Sequence, residues 1–255
     1  MHKTEHRMLF LVDLLGSQHM VNAANRTEDL DGLIKLLKDL KGTAGNYGYE
    51  ATEAQDLESK KIFTAYVMRP CISTFSDHIA ISYRADDMLI PENPFVVALS
   101  DAITRIGRLA FHAINLGLLI RGGVTIGELF HEDDVIVGKA LNIAHELESS
   151  IAKYPRVACS PSVYSPEAQN DVHAFLRDDD GIIHLNYFES MIAFSGPESS
   201  ARASWVSNVR NRIESNCEQF RTAHKLNEMS KWEWFRKQFE DARKKLPSGL
   251  FGGEI

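Results

Sequence analysis

The sequence predicts an α+β fold built on a mainly antiparallel sheet, and three observations carry that reading. Residues 7–15, 72–83 and 118–126 are short runs that are continuously apolar or alternate between apolar and polar, the mark of strands. Between them, residues 29–40 and 95–116 repeat apolar side chains at helical spacing. No GxGxxG follows the first run and no GxxxxGK[ST] occurs anywhere, which disfavours a Rossmann or P-loop domain.

Residues 7–15 read as a buried strand whose anomaly is Asp13, because a buried carboxylate must be paired, hydrogen-bonded or metal-bound. Gly16 follows where the chain turns. The helix predicted over 29–40 places Leu30, Leu33, Ile34, Leu37 and Leu40 on one side, with Thr27 or Asp29 as its cap. Residues 42–61 read as an insertion, with glycines at its start and a polar helix over 51–60; 62–67 reads as a strand ended by Pro70. In 72–83, ISTFSDHIAISY, the alternation on both sides of Ser76-Asp77 predicts two strands with Asp77 at the bend.

A loop over 86–94 then leads into the long helix. The strand over 118–126 is interrupted by Gly122-Gly123, which permits a bulge or a close backbone approach. Residues 127–134 read as an acidic hairpin or loop, 135–137 as a short apolar strand, 138–153 as a helix, and 157–160 and 182–188 as strands. Asp178-Asp179-Asp180-Gly181 reads as an exposed acidic turn. Residues 200–245 predict two helices broken near 227–230, with Trp205, Val209, Ile213, Cys217 and Phe220 on the first. Trp232, Phe235, Phe239, Ala242 and Leu246 mark the second. The implied order, strand-helix-insertion-hairpin-helix-strand-hairpin-helix-strand with helices over one face, is an α+β sandwich of the ferredoxin-like kind.

A chain of 255 residues with 44% hydrophobic and 25% charged content is an ordinary globular protein. Its formal net charge of -7 argues against a general nucleic-acid binder and is no obstacle to a free nucleotide whose phosphates are neutralised by metal. Cys71, Cys159 and Cys217 lack metal-site spacing and read as reduced thiols. The apolar run near the start is broken by Asp13, unlike a signal peptide, and no stretch reaches the ~20 apolar residues of a membrane span, so a cytoplasmic protein is expected. His19, His78, His112, His131, His145 and His184 show no zinc spacing and read as structural. Asp13 and Asp77, two strand-end carboxylates in one sheet, are the candidate pair for divalent metal beside a polyphosphate.

Leu11-Val12-Asp13-Leu14-Leu15-Gly16 resembles the first metal-aspartate motif of class III nucleotidyl cyclase catalytic domains. Thr74-Phe75-Ser76-Asp77 resembles the second, with Ser76 where many members have glycine. RGGVTIG over 121–127 is similar to the family strand RIGIHTG, and Gly138-Lys139-Ala140-Leu141-Asn142-Ile143-Ala144 to its GxxxNxA block. The resemblance covers roughly residues 7–188 and implies a cyclase-like catalytic domain over 1–198. Residues 199–255 are then a helical extension packed on the core or on a dimer partner. It further implies two Mg²⁺ or Mn²⁺ ions on Asp13 and Asp77, backbone N–H groups of Leu14, Leu15, Gly16 and Ser17 on the phosphates, and Asn142 on the ribose. In this family that asparagine comes from the other subunit, which implies a head-to-tail homodimer with sites at its interface.

Two departures bear on the substrate and on activity. Ser73 stands where adenylyl cyclases place a base-reading lysine, and Val135, beside Asp134, where they place a second reader. Glu146 stands where the family has an arginine that stabilises the transferring phosphoryl group; Lys139, Lys153 and Arg121 are candidate substitutes. The spelling FSD followed by RGG and GKALNIA is similar to bacterial pyrimidine cyclases of anti-phage signalling. That likeness implies conversion of CTP or UTP to the 3′,5′-cyclic monophosphate, which a separate effector, in some cases membrane-bound, then reads. Ser73, Tyr47, Tyr49 and Arg69 are candidate base contacts. A purine cyclase with unusual readers, and a non-catalytic nucleotide-binding or interaction domain, are the alternatives.

Overall fold

The computed structural model describes residues 3–42, 48–55, 62–84, 94–164, 174–196 and 199–246. In chain order the first half comprises β1 (Glu5–Leu15), α1 (Ser17–Ala23), a 3₁₀ turn (Thr27–Leu30), α2 (Asp31–Lys41), β2 (Gly48–Gln55), β3 (Ile62–Arg69), β4 (Cys71–Phe75), β5 (His78–Arg84) and α3 (Pro94–Asn115). The second half comprises β6 (Leu119–Glu132), β7 (Val135–Val137), α4 (Lys139–Glu146), a π-helical turn (Leu147–Ile151), β8 (Val157–Cys159), β9 (Phe175–Arg177), β10 (Ile183–Leu185), α5 (Phe188–Ala193), α6 (Ser199–Thr222) and α7 (Leu226–Lys245).

The main sheet runs β4-β5-β1-β6-β8-β10-β9, with β7 paired to β6. Its first four strands, β4-β5-β1-β6, interleave two β-α-β crossovers. One runs from β1 through α1 and α2 to β4, the other from β5 through α3 to β6. Strand β1 pairs antiparallel with both β5 and β6, so the fold is α+β with a ferredoxin-like core. The sheet then extends through β8, which is parallel to β6.

β1 is buried along eight consecutive residues, from Arg7 to Leu14. A strand apolar on both faces needs cover on both. Met8, Phe10, Val12 and Leu14 enter the large core with α3, α5, α6 and α7. Leu9 and Leu11 enter a second, small core with Ala80, Leu129, Ala140 and Ala144. The expectation of helices over one face is therefore corrected: α4 covers the other. Its close approach depends on Gly123, opposite Leu11, where a Cβ would lie 2.3 Å from the Ala144 carbonyl oxygen and 2.6 Å from Leu147 Cβ. This is the physical reason for a glycine in the middle of the strand.

Several segments differ from expectation. Residues 48–55 form β2, hydrogen-bonded along its length to β3, where a polar helix was expected over 51–60. Pairing supplies backbone partners that local polarity does not reveal. β6 runs through most of the expected acidic hairpin to Glu132. Residues 182–188 divide into β10 and the start of α5, because Phe188, Met191 and Ile192 bury one helical face. The helical break of the tail falls at 223–225, before the expected 227–230.

The tail shares the main core: Trp205, Val209, Ile213, Trp232, Phe235 and Phe239 are buried in it, and the Trp205 indole donates to Asn115 at 3.0 Å. The acidic turn has a structural task. Arg156, 1% exposed, is held by Asp178 and Asp180, each at 2.6 Å, and Asp178 also accepts the Trp234 indole N–H of α7. A buried guanidinium requires such partners. Among the described residues no helix is long and apolar enough to cross a membrane.

Two measurements check this packing. Gly123→Ala is expected to cost about 1–3 kcal/mol of stability in urea unfolding, by overpacking β6 against α4. His131 and His184, both buried, are pushed down to about 4, first by burial. The unfolded chain then binds more protons between pH 4 and 6.5, so the urea midpoint is expected to rise with pH across that window. His184→Gln should make the rise shallower.

Candidate metal centre

Asp13 lies near the end of β1, directly opposite His78 of β5 and Arg121 of β6. Because side chains alternate across a strand, these three stand in one row on the face that α4 covers. Asp77 comes to the same place by the turn between β4 and β5. Ser76, the first turn residue, takes a left-handed φ of 57°, where glycine is usual. The Leu14 N–H donates to the Asp77 carbonyl at 3.2 Å and ties the turn to the end of β1. As a result, Asp13, Asp77 and His78 each offer a ligand atom within 4.8 Å of the others, the one such group of three found among the described residues.

Each carboxylate has one oxygen fastened to the scaffold. Arg121 Nε donates to Asp13 Oδ2 at 2.9 Å, and the Ser17 hydroxyl donates to Asp77 Oδ2 at 2.8 Å. The other oxygen of each is the one a cation can engage without breaking those bonds. Two preset carboxylates beside an imidazole fit a divalent ion as donor set. Burial pushes the Asp77 carboxyl up, but hydrogen bonds from Ser17, its own backbone and Ser76, with the His78 charge, hold it below the usual value. The anionic form that binds metal is thereby favoured.

Arg121 also approaches Glu148, 2% exposed in the π-helical turn, with Nη2 2.7 Å from Oε1. That approach is a charge contact without hydrogen-bond geometry, so Oε1 has no hydrogen-bond partner. Burial raises the Glu148 carboxyl above its ordinary range; Arg121 opposes the rise and Asp13 adds to it. Arg121 is thus set between two carboxylates.

The other residues singled out in the sequence fall as follows. Leu14 has its N–H committed to the Asp77 carbonyl, Leu15 ends β1 opposite Leu119, and Gly16, at φ 97°, starts α1 with Ser17 behind it. Ser73 has partners within the fold. It is buried, its hydroxyl donates to the Asp133 carbonyl at 2.8 Å, and it accepts from His131 Nε2 at 2.9 Å. These contacts join β4 to the β6–β7 hairpin. Asn142, Glu146, Lys139 and Lys153 are exposed, and none belongs to the carboxylate cluster. Tyr47 and the side chain of Tyr49 lie outside the described residues, and Arg69 is exposed at the end of β3.

Sequence reasoning missed Glu148, read His78 as structural, and singled out Ser17 for its backbone N–H but not for the hydroxyl that holds Asp77. The signal for His78 was present, since a two-residue turn makes it the neighbour of Asp77 and the strand register sets it opposite Asp13. Ser17 and Glu148 reach the site through tertiary packing, which spacing does not encode.

No protein-family model and no curated protein matches the chain. Among solved structures it is similar to the adenylyl cyclase CyaB from P. aeruginosa, at 18% identity and TM-score 0.46, over 72% of this chain and 95% of that one. It is also similar to the guanylyl cyclase domain of the RhoGC fusion protein from Blastocladiella emersonii, at 15% identity and TM-score 0.43, over 72% and 98%. The guanylate cyclase domain of RhGC from Catenaria anguillulae, in complex with GTP, gives 16% identity and TM-score 0.40 over 71% and 93%. At such values neither the activity nor the substrate of those proteins transfers to this chain.

Ser17→Ala removes a donor to the ionised Asp77 carboxylate, so the Asp77 pKa should move upward in a carboxyl-carbon NMR titration. An unmoved or lowered value would show that Ser17 does not hold the group.

Proposed function

We propose that the chain is a metal-dependent nucleotidyl cyclase, converting a nucleoside triphosphate to its 3′,5′-cyclic monophosphate and pyrophosphate. The observation that carries this reading is the convergence of Asp13 and Asp77, distant in sequence, at the Gly16 turn. A divalent cation on Asp13 and Asp77 would activate the ribose 3′-hydroxyl and neutralise the triphosphate. In the reaction the 3′-oxygen bonds to the α-phosphorus, the bond to the bridging oxygen breaks, and the hydroxyl proton passes to solvent. Arg121 orients Asp13 and Ser17 orients Asp77, so both carboxylates are preset. Gly16, without a side chain, leaves the backbone beside them open to phosphate oxygens.

The finer reading is a pyrimidine substrate, CTP or UTP, with two Mg²⁺ or Mn²⁺ ions per site. Its support is the absence of the adenine-reading side chains at Ser73 and Val135, and the resemblance to anti-phage pyrimidine cyclases. In that setting the product would signal to a separate effector. The site is completed by Asn142 of the partner subunit in a head-to-tail homodimer. This reading is supported by the exposure of Asn142 on α4 and of the apolar Val135, Val137 and Ile143, all within eight residues of it in the chain. A second reading, nucleotide binding without turnover, is favoured by one observation: Arg121, the cation beside the carboxylates, is already paired with Asp13 and Glu148.

Purified protein incubated with Mn²⁺ and each of the four ribonucleoside triphosphates separates these outcomes by product analysis. Cyclic CMP or cyclic UMP is expected; cyclic AMP or cyclic GMP as sole product would reject the pyrimidine assignment, and binding without any product would establish the second reading. Asp77→Ala should abolish turnover with the fold intact. Mixing Asp77→Ala with Asn142→Ala should restore part of the activity, since a mixed dimer keeps one undamaged site. No recovery despite mixed-dimer formation would exclude shared sites.

A further inference from the structure

The cluster has a third member that the cyclisation chemistry does not use. We propose that His78 is a ligand of the same ion as Asp13 and Asp77. The centre would then prefer nitrogen-accepting late first-row ions such as Co²⁺ and Zn²⁺ to Mg²⁺. The inference rests on the metal site of the proposed function, but not on cyclisation itself.

Strand register is the first support. Asp13 and His78 are directly opposed across β1 and β5, a relation that sets Cβ atoms about 4.5–5.5 Å apart on one face. The second is distance: His78 Nδ1 lies 3.2 Å from Asp77 Oδ1. Two ligands each about 2.1 Å from one ion are about 3.0–3.4 Å apart for octahedral to tetrahedral angles, so this pair already spans such an edge. The third is orientation. Phe75 stacks on the imidazole with centroids 5.6 Å apart and planes 4° from parallel, although its own side chain is exposed at the turn. A phenyl ring in that position fixes the imidazole plane, as a ligand requires.

The donor chemistry gives the consequence. Carboxylate oxygens suit Mg²⁺, whereas an imidazole nitrogen raises affinity for Co²⁺ and Zn²⁺ much more than for Mg²⁺. The competing account is an orienting hydrogen bond, with Nδ1–H donating to Asp77 Oδ1 and the metal bound by carboxylates alone. Loss of such a bond would weaken every ion to a similar degree. Loss of a nitrogen ligand would act selectively.

The test is metal binding to the full chain without nucleotide, by titration with Co²⁺ and separately with Mg²⁺, for the wild type and His78→Asn. Co²⁺ affinity is expected to fall at least about tenfold in the variant, and Mg²⁺ affinity by less than about threefold. Unchanged Co²⁺ affinity, or equal losses for both ions, would overturn the assignment. The Co²⁺-loaded wild type supplies a variant-free check against misfolding. Its NMR spectrum should contain a strongly shifted exchangeable imidazole N–H, and the absence of that signal would also overturn the assignment. If the signal is present while all four triphosphates stay unreacted, the cyclase reading fails and this one stands.

Discussion

The structure depends on how the end of β1 is fastened. One backbone hydrogen bond, from the Leu14 N–H to the Asp77 carbonyl, closes the β4–β5 turn onto the strand that carries Asp13. The Ser17 hydroxyl adds a second tie, to the Asp77 carboxylate itself, and the pairing of Asp13 with His78 a third. The rest of the site follows from strand register: His78 and Arg121 flank Asp13, and the period of two holds all three on one face.

That face is habitable for charge because α4 covers it only in part. Ala140 and Ala144 pack closely on Leu9 and Leu11, while the end of the sheet beyond Leu11 is left to Asp13, Arg121 and the π-helical turn bearing Glu148. An ionised carboxylate near an apolar core is costly unless paired. Arg121 stabilises Asp13 for this reason, and the same contact presets the carboxylate for a cation. The opposite face of β1 is buried in the main core, with Met8, Phe10, Val12 and Leu14 all closed to solvent, so these positions are referred to a packed strand.

Much of this was legible in the sequence. The alternation around Ser76-Asp77 specifies the hairpin, and a carboxylate at the end of an apolar run flags Asp13 as a residue in need of a partner. The apolar stripes of α3, α6 and α7 predict burial that the structure shows. What spacing does not encode is which strands become neighbours and which face a late helix covers. The second cover by α4, the role of Ser73 as a joint between β4 and the β6–β7 hairpin, and the pairing of β2 with β3 are all tertiary choices. They override local polarity, as Gly123 illustrates. The glycine pair signals a close approach in the sequence, but not that Ala144 of α4 is what comes close to Gly123. His78 was within reach, because register places it beside both aspartates, but a search for zinc-like spacing along the chain looks in the wrong dimension.

The central claim is that Asp13 and Asp77 hold one divalent cation in common. Crystals of the full chain soaked in Mn²⁺ and measured near the manganese absorption edge test it most directly. The account predicts an anomalous peak within bonding distance of both carboxylates. A peak elsewhere, or an empty space between two carboxylates that turn away from each other, would contradict it.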